Sequence, residues 1–108
     1  MERKMETLKN VSVEKKANVY FEGKVTSRNI FLENGTKQSL GIMLPGDYEF
    51  GTEKKEIMEI ISGKLKVLLP DEVEWKLIED GMTFKVAANS KFNLKILALT
   101  DYCCSYVD

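Results

Sequence analysis

The strongest constraint on the fold is a period-two alternation of apolar and polar residues, which is clearest in residues 63–69, 91–96 and 102–107. Successive side chains of a β-strand point to opposite faces, so this period predicts strands with one buried face. The side chains predicted to share a face are Leu65, Val67 and Leu69 in the first segment, Phe92, Leu94 and Ile96 in the second, and Tyr102, Cys104 and Tyr106 in the third.

Turn-forming residues separate the predicted strands at intervals of about 8–12 residues. Asn34-Gly35 lies between two apolar runs, which is the strongest short-range signal for a hairpin. No long segment has helical periodicity. The pattern therefore predicts an all-β domain, either an antiparallel sandwich or a barrel. The other predicted turns are at Pro45-Gly46, Ser62-Gly63, Pro70-Asp71, Asp80-Gly81 and Asn89-Ser90.

Size and charge limit the class of protein. A chain of 108 residues can form one domain with one core, and its 16 basic and 17 acidic residues nearly cancel. No overall field favours nucleic acid or an anionic membrane, and no run approaches the roughly 18 apolar residues of a bilayer span. Residues 1–10 lack the apolar region of a secretory signal, so we expect a cytoplasmic protein. We predict a tail or short helix over residues 1–17 and one β-domain over residues 18–108.

The chain contains no histidine, which removes the commonest general base and the commonest metal ligand. Any catalysis must use carboxylates, hydroxyls, lysines and backbone amides. The two cysteines, Cys103 and Cys104, are adjacent. Neighbouring strand residues face opposite ways, so these thiols are not expected to pair, in keeping with a reducing compartment.

Several blocks of sequence, in matching order and spacing, carry a family resemblance. The longest blocks run from Met43 to Thr52 and from Glu56 to Pro70, and residues 81–86 and the pattern Tyr102, Cys104, Tyr106 follow. Upstream, residues 20–25 and 39–43 also agree. Over residues 18–107 the chain resembles the small single-domain cupins of the pyrimidine/purine nucleoside phosphorylase family. It departs from the family pattern at Ala87-Ala88, where a proline is usual, and around residues 28–30.

The resemblance implies an antiparallel double-sheet, jelly-roll-like β-barrel. It also implies phosphorolysis, in which a purine or pyrimidine nucleoside and orthophosphate give the free base and ribose 1-phosphate. Orthophosphate is then a co-substrate, no cofactor is needed, and a homodimer is expected. Two alternatives stay open: a cupin that binds a sugar or nucleoside without turnover, and a structural or regulatory protein that binds partners at the barrel edge.

The general cupin pattern shows which positions of this chain would hold a metal ion. Two glycines of the pattern are present at Gly46 and Gly63, and the metal-binding carboxylate is Glu56. The histidine positions are occupied by Thr52, Lys54 and Phe92. One ligand of four does not make a transition-metal site, so no metal is predicted.

The chemistry implied by the resemblance assigns candidate residues. Glu56 is the first candidate catalytic residue, because an inward carboxylate can bind the ribose hydroxyls and stabilise a ribosyl cation; the alternative is an exposed strand acid. Thr52 is the second, although threonine is also common in strands. The candidate substrate-binding residues are Tyr48 and Phe50 for stacking, Phe92 at the last metal-ligand position, and Ser90, Ser39 and Lys37 for polar contacts. The alternative roles are core packing for the aromatic residues, turn capping for Ser90 and a solvated surface charge for Lys37. Cys104 and Tyr106 receive no catalytic role.

Overall fold

The computed structural model describes residues 6–108, which form nine β-strands and one short 3-10 turn, Phe21–Gly23. Every strand pairing in this part of the chain is antiparallel. No helix among residues 6–108 has the length and apolarity needed to cross a membrane. The strands are β1 (Ser12–Val13), β2 (Asn18–Tyr20), β3 (Val25–Phe31), β4 (Lys37–Met43), β5 (Gly46–Gly51), β6 (Lys55–Leu68), β7 (Lys76–Glu79), β8 (Thr83–Val86) and β9 (Lys91–Val107).

Part of the N-terminal segment, predicted as a tail or short helix over residues 1–17, is a strand. β1 pairs with the end of β3, and the backbone N–H of Glu14 donates to the carbonyl of Asn29 at 3.0 Å. The side-chain amide of Asn29 donates back to Glu14 Oε1 at 2.7 Å. Residues 1–5 of the segment lie outside the described residues. The hydrogen bonds to Asn29 hold residues 12–14 against the edge of the sheet.

The two long strands β6 and β9 run through the whole domain. They pair antiparallel from Lys55 opposite Val107 to Leu68 opposite Asn93, with register shifts between Ile60 and Leu65. The predicted turn at Ser62-Gly63 is therefore wrong, because both residues lie inside β6. Gly63 has φ +125°, and the pair of strands bends there. A β-bulge that contains glycine has the same sequence signature as a turn, but here the strand continues past the glycine and stays paired with β9.

All nine strands are hydrogen-bonded into one continuous sheet, and the bend folds it into two layers, called here sheet I and sheet II. In sheet I, the first half of β6 and the second half of β9 pair with β8 and β4, and β4 continues to β3, β1 and β2. In sheet II, the other halves of β6 and β9 pair with β7 and β5. The predicted all-β class and antiparallel double-sheet cupin architecture are confirmed. The barrel, however, is not closed, since β5, β7 and β8 are short and each pairs on one side only.

The core lies between the two sheets, where the predicted period-two faces point inward. Leu65, Val67, Leu94 and Ile96 are at most 3% exposed, which confirms the buried faces of residues 63–69 and 91–96. The predicted hairpin at Asn34-Gly35 is also confirmed: it joins β3 to β4. The core also contains Val25, Met43, Tyr48, Met58, Ile60, Ile78, Phe84, Val86, Phe92, Tyr102 and Cys104.

The bend at Gly63 gives a prediction about stability. A Cβ at Gly63 would lie 2.7 Å from the Cα of Thr100 and also against Thr100 Oγ1. The positive φ adds strain for any other residue, so Gly63→Ala should lower the free energy of unfolding by about 3 kcal/mol or more. Urea denaturation followed by fluorescence measures the change.

Gly81 provides the matched control. It also has a positive φ, of +80°, but no atom lies within 4 Å of the position that a Cβ would take. Gly81→Ala should therefore show only the conformational cost, about 1–2 kcal/mol. Equal losses in the two variants would contradict the role of close strand contact at Gly63.

Candidate functional site

One cavity of about 800 Å³ opens between the two sheets, and its two walls differ in chemistry. Sheet I contributes polar side chains, among them Glu56 and Ser39, whereas sheet II contributes Phe50, Phe92 and Leu94. The volume is within the range of small-molecule sites, which are about 300–1,000 Å³. The cavity is therefore large enough for a nucleoside with a small anion beside it.

Strand register assembles the polar wall. Glu56 on β6 is directly opposite Tyr106 on β9, and Cys104 lies between Met58 of β6 and Ser39 of β4. Side chains of the same parity on adjacent antiparallel strands share a face and lie within contact range. Three distant segments of the chain thus place a carboxyl, a phenol, a thiol and a hydroxyl next to one another on the cavity wall.

Glu56 is half-buried and lines the cavity, with no lysine or arginine ion-paired to it among residues 6–108. Burial raises the pKa of its carboxyl, because removal from water disfavours the charged form. A hydrogen bond from the Cys104 thiol acts in the opposite direction and lowers that pKa. The inward placement predicted for this residue agrees with the structure; its catalytic role stays a prediction.

The hydroxyls of the polar wall are held protonated. Burial raises the pKa of Tyr102 to about 12 and raises the pKa of Tyr106 further. The hydroxyls of Ser39 and Tyr106 share a hydrogen bond of 2.9 Å. These groups are neutral donors at physiological pH, so the wall can bind an anion without carrying a large positive charge itself.

Lysines supply the positive charge near this wall. Lys37 Nζ lies 4.8 Å from the centre of the Tyr106 ring, and the Lys37 side chain lines the cavity. Lys54 also lines it but pairs with Asp108 at 2.9 Å. Lys37 is therefore the better placed of these two lysines to meet an anion beside Ser39 and Tyr106.

The apolar wall is aromatic. Phe50 stacks on Phe92 with ring centres 5.9 Å apart, and the Tyr20 ring meets Phe50 edge-on at 6.1 Å. Phe50 is only half-buried, so part of its surface remains free within the cavity. Such a surface suits a flat heterocycle, and the Phe50 ring itself has no hydrogen-bonding group that would distinguish one base from another.

Three predicted site residues lie outside this cavity. The Tyr48 hydroxyl donates to the carbonyl of Leu44 at 2.7 Å within the core. The Thr52 hydroxyl donates to the carbonyl of Ala87 at 2.7 Å and accepts from the backbone N–H of Ser90 at 3.1 Å. Thr52 and Ser90 line a shallow depression elsewhere and fasten the turn before β9 to the end of β5. Their predicted roles at the substrate stay predictions.

The other five predicted residues are brought together, since Lys37, Ser39, Phe50, Glu56 and Phe92 all line the cavity. Sequence reasoning assigned no site role to the other lining residues, five of which carry a hydroxyl or thiol on β2, β3 or β9. Three of these five share one face in the alternating pattern of residues 102–107, and that face was interpreted as core packing. Nothing in the sequence marked the other two, because their position follows from the pairing of β2, β3 and β4. The five residues are Tyr20, Ser27, Tyr102, Cys104 and Tyr106.

The side chains do not fit the metal that many cupins bind. Within residues 6–108 no group of three or more His, Cys, Asp or Glu side chains is arranged to hold a metal ion. Of the aligned ligand positions, Thr52 is engaged with Ala87, Lys54 is cationic and Phe92 is apolar. Glu56 alone is an insufficient ligand set, so no step of a mechanism can be assigned to a metal here.

Comparison with solved structures supports the fold. A protein of unknown function from Acinetobacter sp. superposes with a TM-score of 0.91 at 39% identity, covering 94% of this chain and 98% of that chain. The Clostridium difficile EutQ protein matches with a TM-score of 0.64 at 15% identity, covering 76% of this chain and 67% of that chain. The second similarity concerns the fold alone.

Comparison with known sequences defines the family. A protein from Wolinella succinogenes named pyrimidine/purine nucleoside phosphorylase is 55% identical over 95% of this chain and 98% of its own length. One of the same name from Geotalea uraniireducens is 54% identical over 96% of this chain and its whole length. Residues 15–106 match the family described as pyrimidine/purine nucleoside phosphorylase. The chain therefore belongs to the pyrimidine/purine nucleoside phosphorylase family.

Proposed function

We propose that this protein catalyses the phosphorolysis of purine and pyrimidine nucleosides to the free base and α-D-ribose 1-phosphate. The observation that carries the proposal is a single cavity in which the Glu56 carboxyl and the hydroxyls of Ser39 and Tyr106 face an aromatic wall. The Glu56 carboxyl suits the ribose hydroxyls, the hydroxyls of Ser39 and Tyr106 suit the phosphate, and the aromatic wall suits the base. Membership of the named family and the relatives' names support the same reaction.

In this reaction an oxygen of orthophosphate bonds to C1′ of the ribose while the C1′–N bond to the base breaks. The electron pair of that bond stays on the base nitrogen, which takes up a proton in place of the one that orthophosphate loses. The sugar passes through a ribosyl cation, so a fixed negative charge next to it lowers the barrier. Glu56 supplies that charge and accepts hydrogen bonds from the ribose hydroxyls.

The phosphate is placed beside Ser39, Tyr106 and Lys37. One hydroxyl proton of the pair is used in their mutual hydrogen bond and the other can be donated to the phosphate, while the lysine supplies a point charge over the Tyr106 ring. Because Glu56 is opposite Tyr106 in the sheet, the phosphate and the ribose are held close together. Holding two reactants in such an arrangement is a large part of what catalysis of this bond requires.

The base is placed on Phe50, with Phe92 behind it. An aromatic surface holds purines and pyrimidines alike, because both present a flat face.

We also propose that no cofactor takes part and that the assembly is a homodimer, which light scattering would check. The cytoplasm is the proposed compartment, supported by two free, buried thiols at Cys103 and Cys104.

The direct test is a panel of inosine, adenosine, uridine and cytidine, incubated with and without orthophosphate and separated by chromatography. We expect release of free base that depends on phosphate, with equimolar ribose 1-phosphate. Protein treated with a chelator should retain its activity and fold. Binding of nucleosides without turnover would favour the non-enzymatic cupin, and loss of activity restored by one metal would contradict metal independence.

The role of Glu56 gives a second prediction. Glu56→Gln keeps the size and most of the hydrogen bonding but removes the charge that stabilises the ribosyl cation. We expect kcat and kcat/KM to fall together by about 10²-fold or more. Glu59→Gln, on the opposite face of the same strand, should leave both constants unchanged. A raised KM with unaltered kcat would reduce Glu56 to a binding contact.

The same substitution should not harm folding. Because burial raises the pKa of Glu56 in the folded protein, its ionised form lowers the free energy of unfolding at pH values above that pKa. The cost disappears as the pH falls and the carboxyl takes up its proton. Glu56→Gln should therefore unfold at an equal or higher urea concentration at about pH 8, and the difference should shrink towards about pH 4. A variant that is less stable at pH 8 would show that the carboxylate stabilises the fold.

A further inference from the structure

Cys104 is a side chain of the cavity wall that the proposed mechanism does not use. It is 3% exposed, and it lies on β9 between Ser39 of β4 and Met58 of β6. Glu56 is two residues before Met58, so it is a diagonal neighbour of Cys104 on the same inner face. The Cα atoms of such neighbours are about 7–8 Å apart across the two strands, within reach of a glutamate side chain.

The contacts around Cys104 form a continuous chain of polar groups. The register brings the Cys104 thiol within interaction range of the Glu56 carboxyl and of the Tyr106 hydroxyl. Tyr106 in turn shares its 2.9 Å hydrogen bond with Ser39. The chain connects the carboxyl proposed for the ribose to the hydroxyls proposed for the phosphate. Cys104 is the link between them.

We propose that Cys104 is a positioning residue, whose thiol holds the Glu56 carboxylate in its orientation towards the cavity. The proposal rests on the proposed function for its kinetic consequences, but not for the contact itself. The neighbouring Cys103 sets the contrast. It is buried without lining the cavity, as expected for a side chain on the opposite face of β9, and has no place in the chain of polar groups.

A thiol suits this position for a physical reason. A lysine or arginine partner would neutralise Glu56 and remove the negative charge that the ribosyl cation needs. A neutral donor orients the carboxylate and leaves its charge in place. Burial raises the pKa of Cys104 well above its ordinary value, so the group remains a protonated donor throughout the working pH range.

Other ionisable groups also face this part of the cavity, and they are the same in every variant compared below. Tyr102 and Tyr106 are on β9, and Asp108 follows the end of that strand; Lys37 is on β4 and Tyr20 on β2. Glu53 and Lys54 precede β6. The partner of Glu56 on β8 is Val86, which does not ionise. Differences between variants at Cys104 therefore isolate the thiol.

The experiment compares the parent with Cys104→Ala, Cys104→Ser and Cys103→Ser. The pKa of Glu56 is measured by carbon-13 NMR of labelled glutamate side chains, with the signal assigned from Glu56→Gln. The pH profile of kcat/KM with inosine and phosphate is recorded in parallel. Cys104→Val, which fills the space without a donor, replaces the alanine variant if thermal unfolding shows that alanine disrupts the fold.

We expect the pKa of Glu56 to rise in Cys104→Ala, because its carboxylate loses a hydrogen bond, and the acid limb of the profile to move to higher pH with it. At neutral pH, kcat/KM should fall about tenfold. Cys104→Ser keeps a donor and should restore both values towards those of the parent, and Cys103→Ser should change neither.

An unchanged pKa of Glu56 in Cys104→Ala, or equal behaviour of the alanine and serine variants, would overturn the proposal. The NMR measurement needs no substrate, so the two proposals can fail separately. If the parent releases no base but the pKa of Glu56 changes as expected in the variants, the proposed phosphorylase activity is wrong and the contact between Cys104 and Glu56 stands. If the parent is active but the pKa does not change, only the proposed role of Cys104 is wrong.

Discussion

The long antiparallel pairing of β6 with β9 is the interaction on which the rest of the structure depends. The two strands contribute to both sheets, so each sheet is built outward from one half of the same pair. The bend at Gly63 turns one half over the other, and the cavity lies between the halves, with further lining residues on β2, β3, β4 and β5. On β9, continuous backbone joins Phe92 of the aromatic wall to Tyr106 of the polar wall.

Register on that pair also decides which chemistry reaches the cavity. Side chains alternate strictly between the two faces of a strand, so a slip of one residue would exchange Glu56 for Ile57 and Cys104 for Cys103. The apolar residues beyond the bend, Leu65 and Val67, are fully buried and oppose such a slip. Core packing in sheet II therefore holds the polar groups of sheet I in place.

The sequence was sufficient for the period-two faces, because burial of one face is a local pattern. It predicted the inward position of Glu56 through the family's spacing. It was not sufficient for Ser62-Gly63, because a bulge and a turn use the same residues, and only the contact with Thr100 distinguishes them. Nor could the sequence show that the Thr52 hydroxyl bonds to Ala87 and Ser90, because a hydroxyl that faces a cavity and one that fastens a turn look alike until their partners are known; the predicted roles of Thr52 and Ser90 at the substrate stay predictions.

The same reasoning explains how a cupin without histidine can still have a polar cavity. At the positions where the general pattern places metal ligands, Thr52 fastens a turn and Phe92 stacks beneath Phe50. The polar groups are instead on β4 and the end of β9, next to the one carboxyl that remains. In the proposed function, the protonated phenol and hydroxyl groups face the phosphate beside Lys37. They would do so without neutralising Glu56, because a neutral donor orients a charge and leaves it in place.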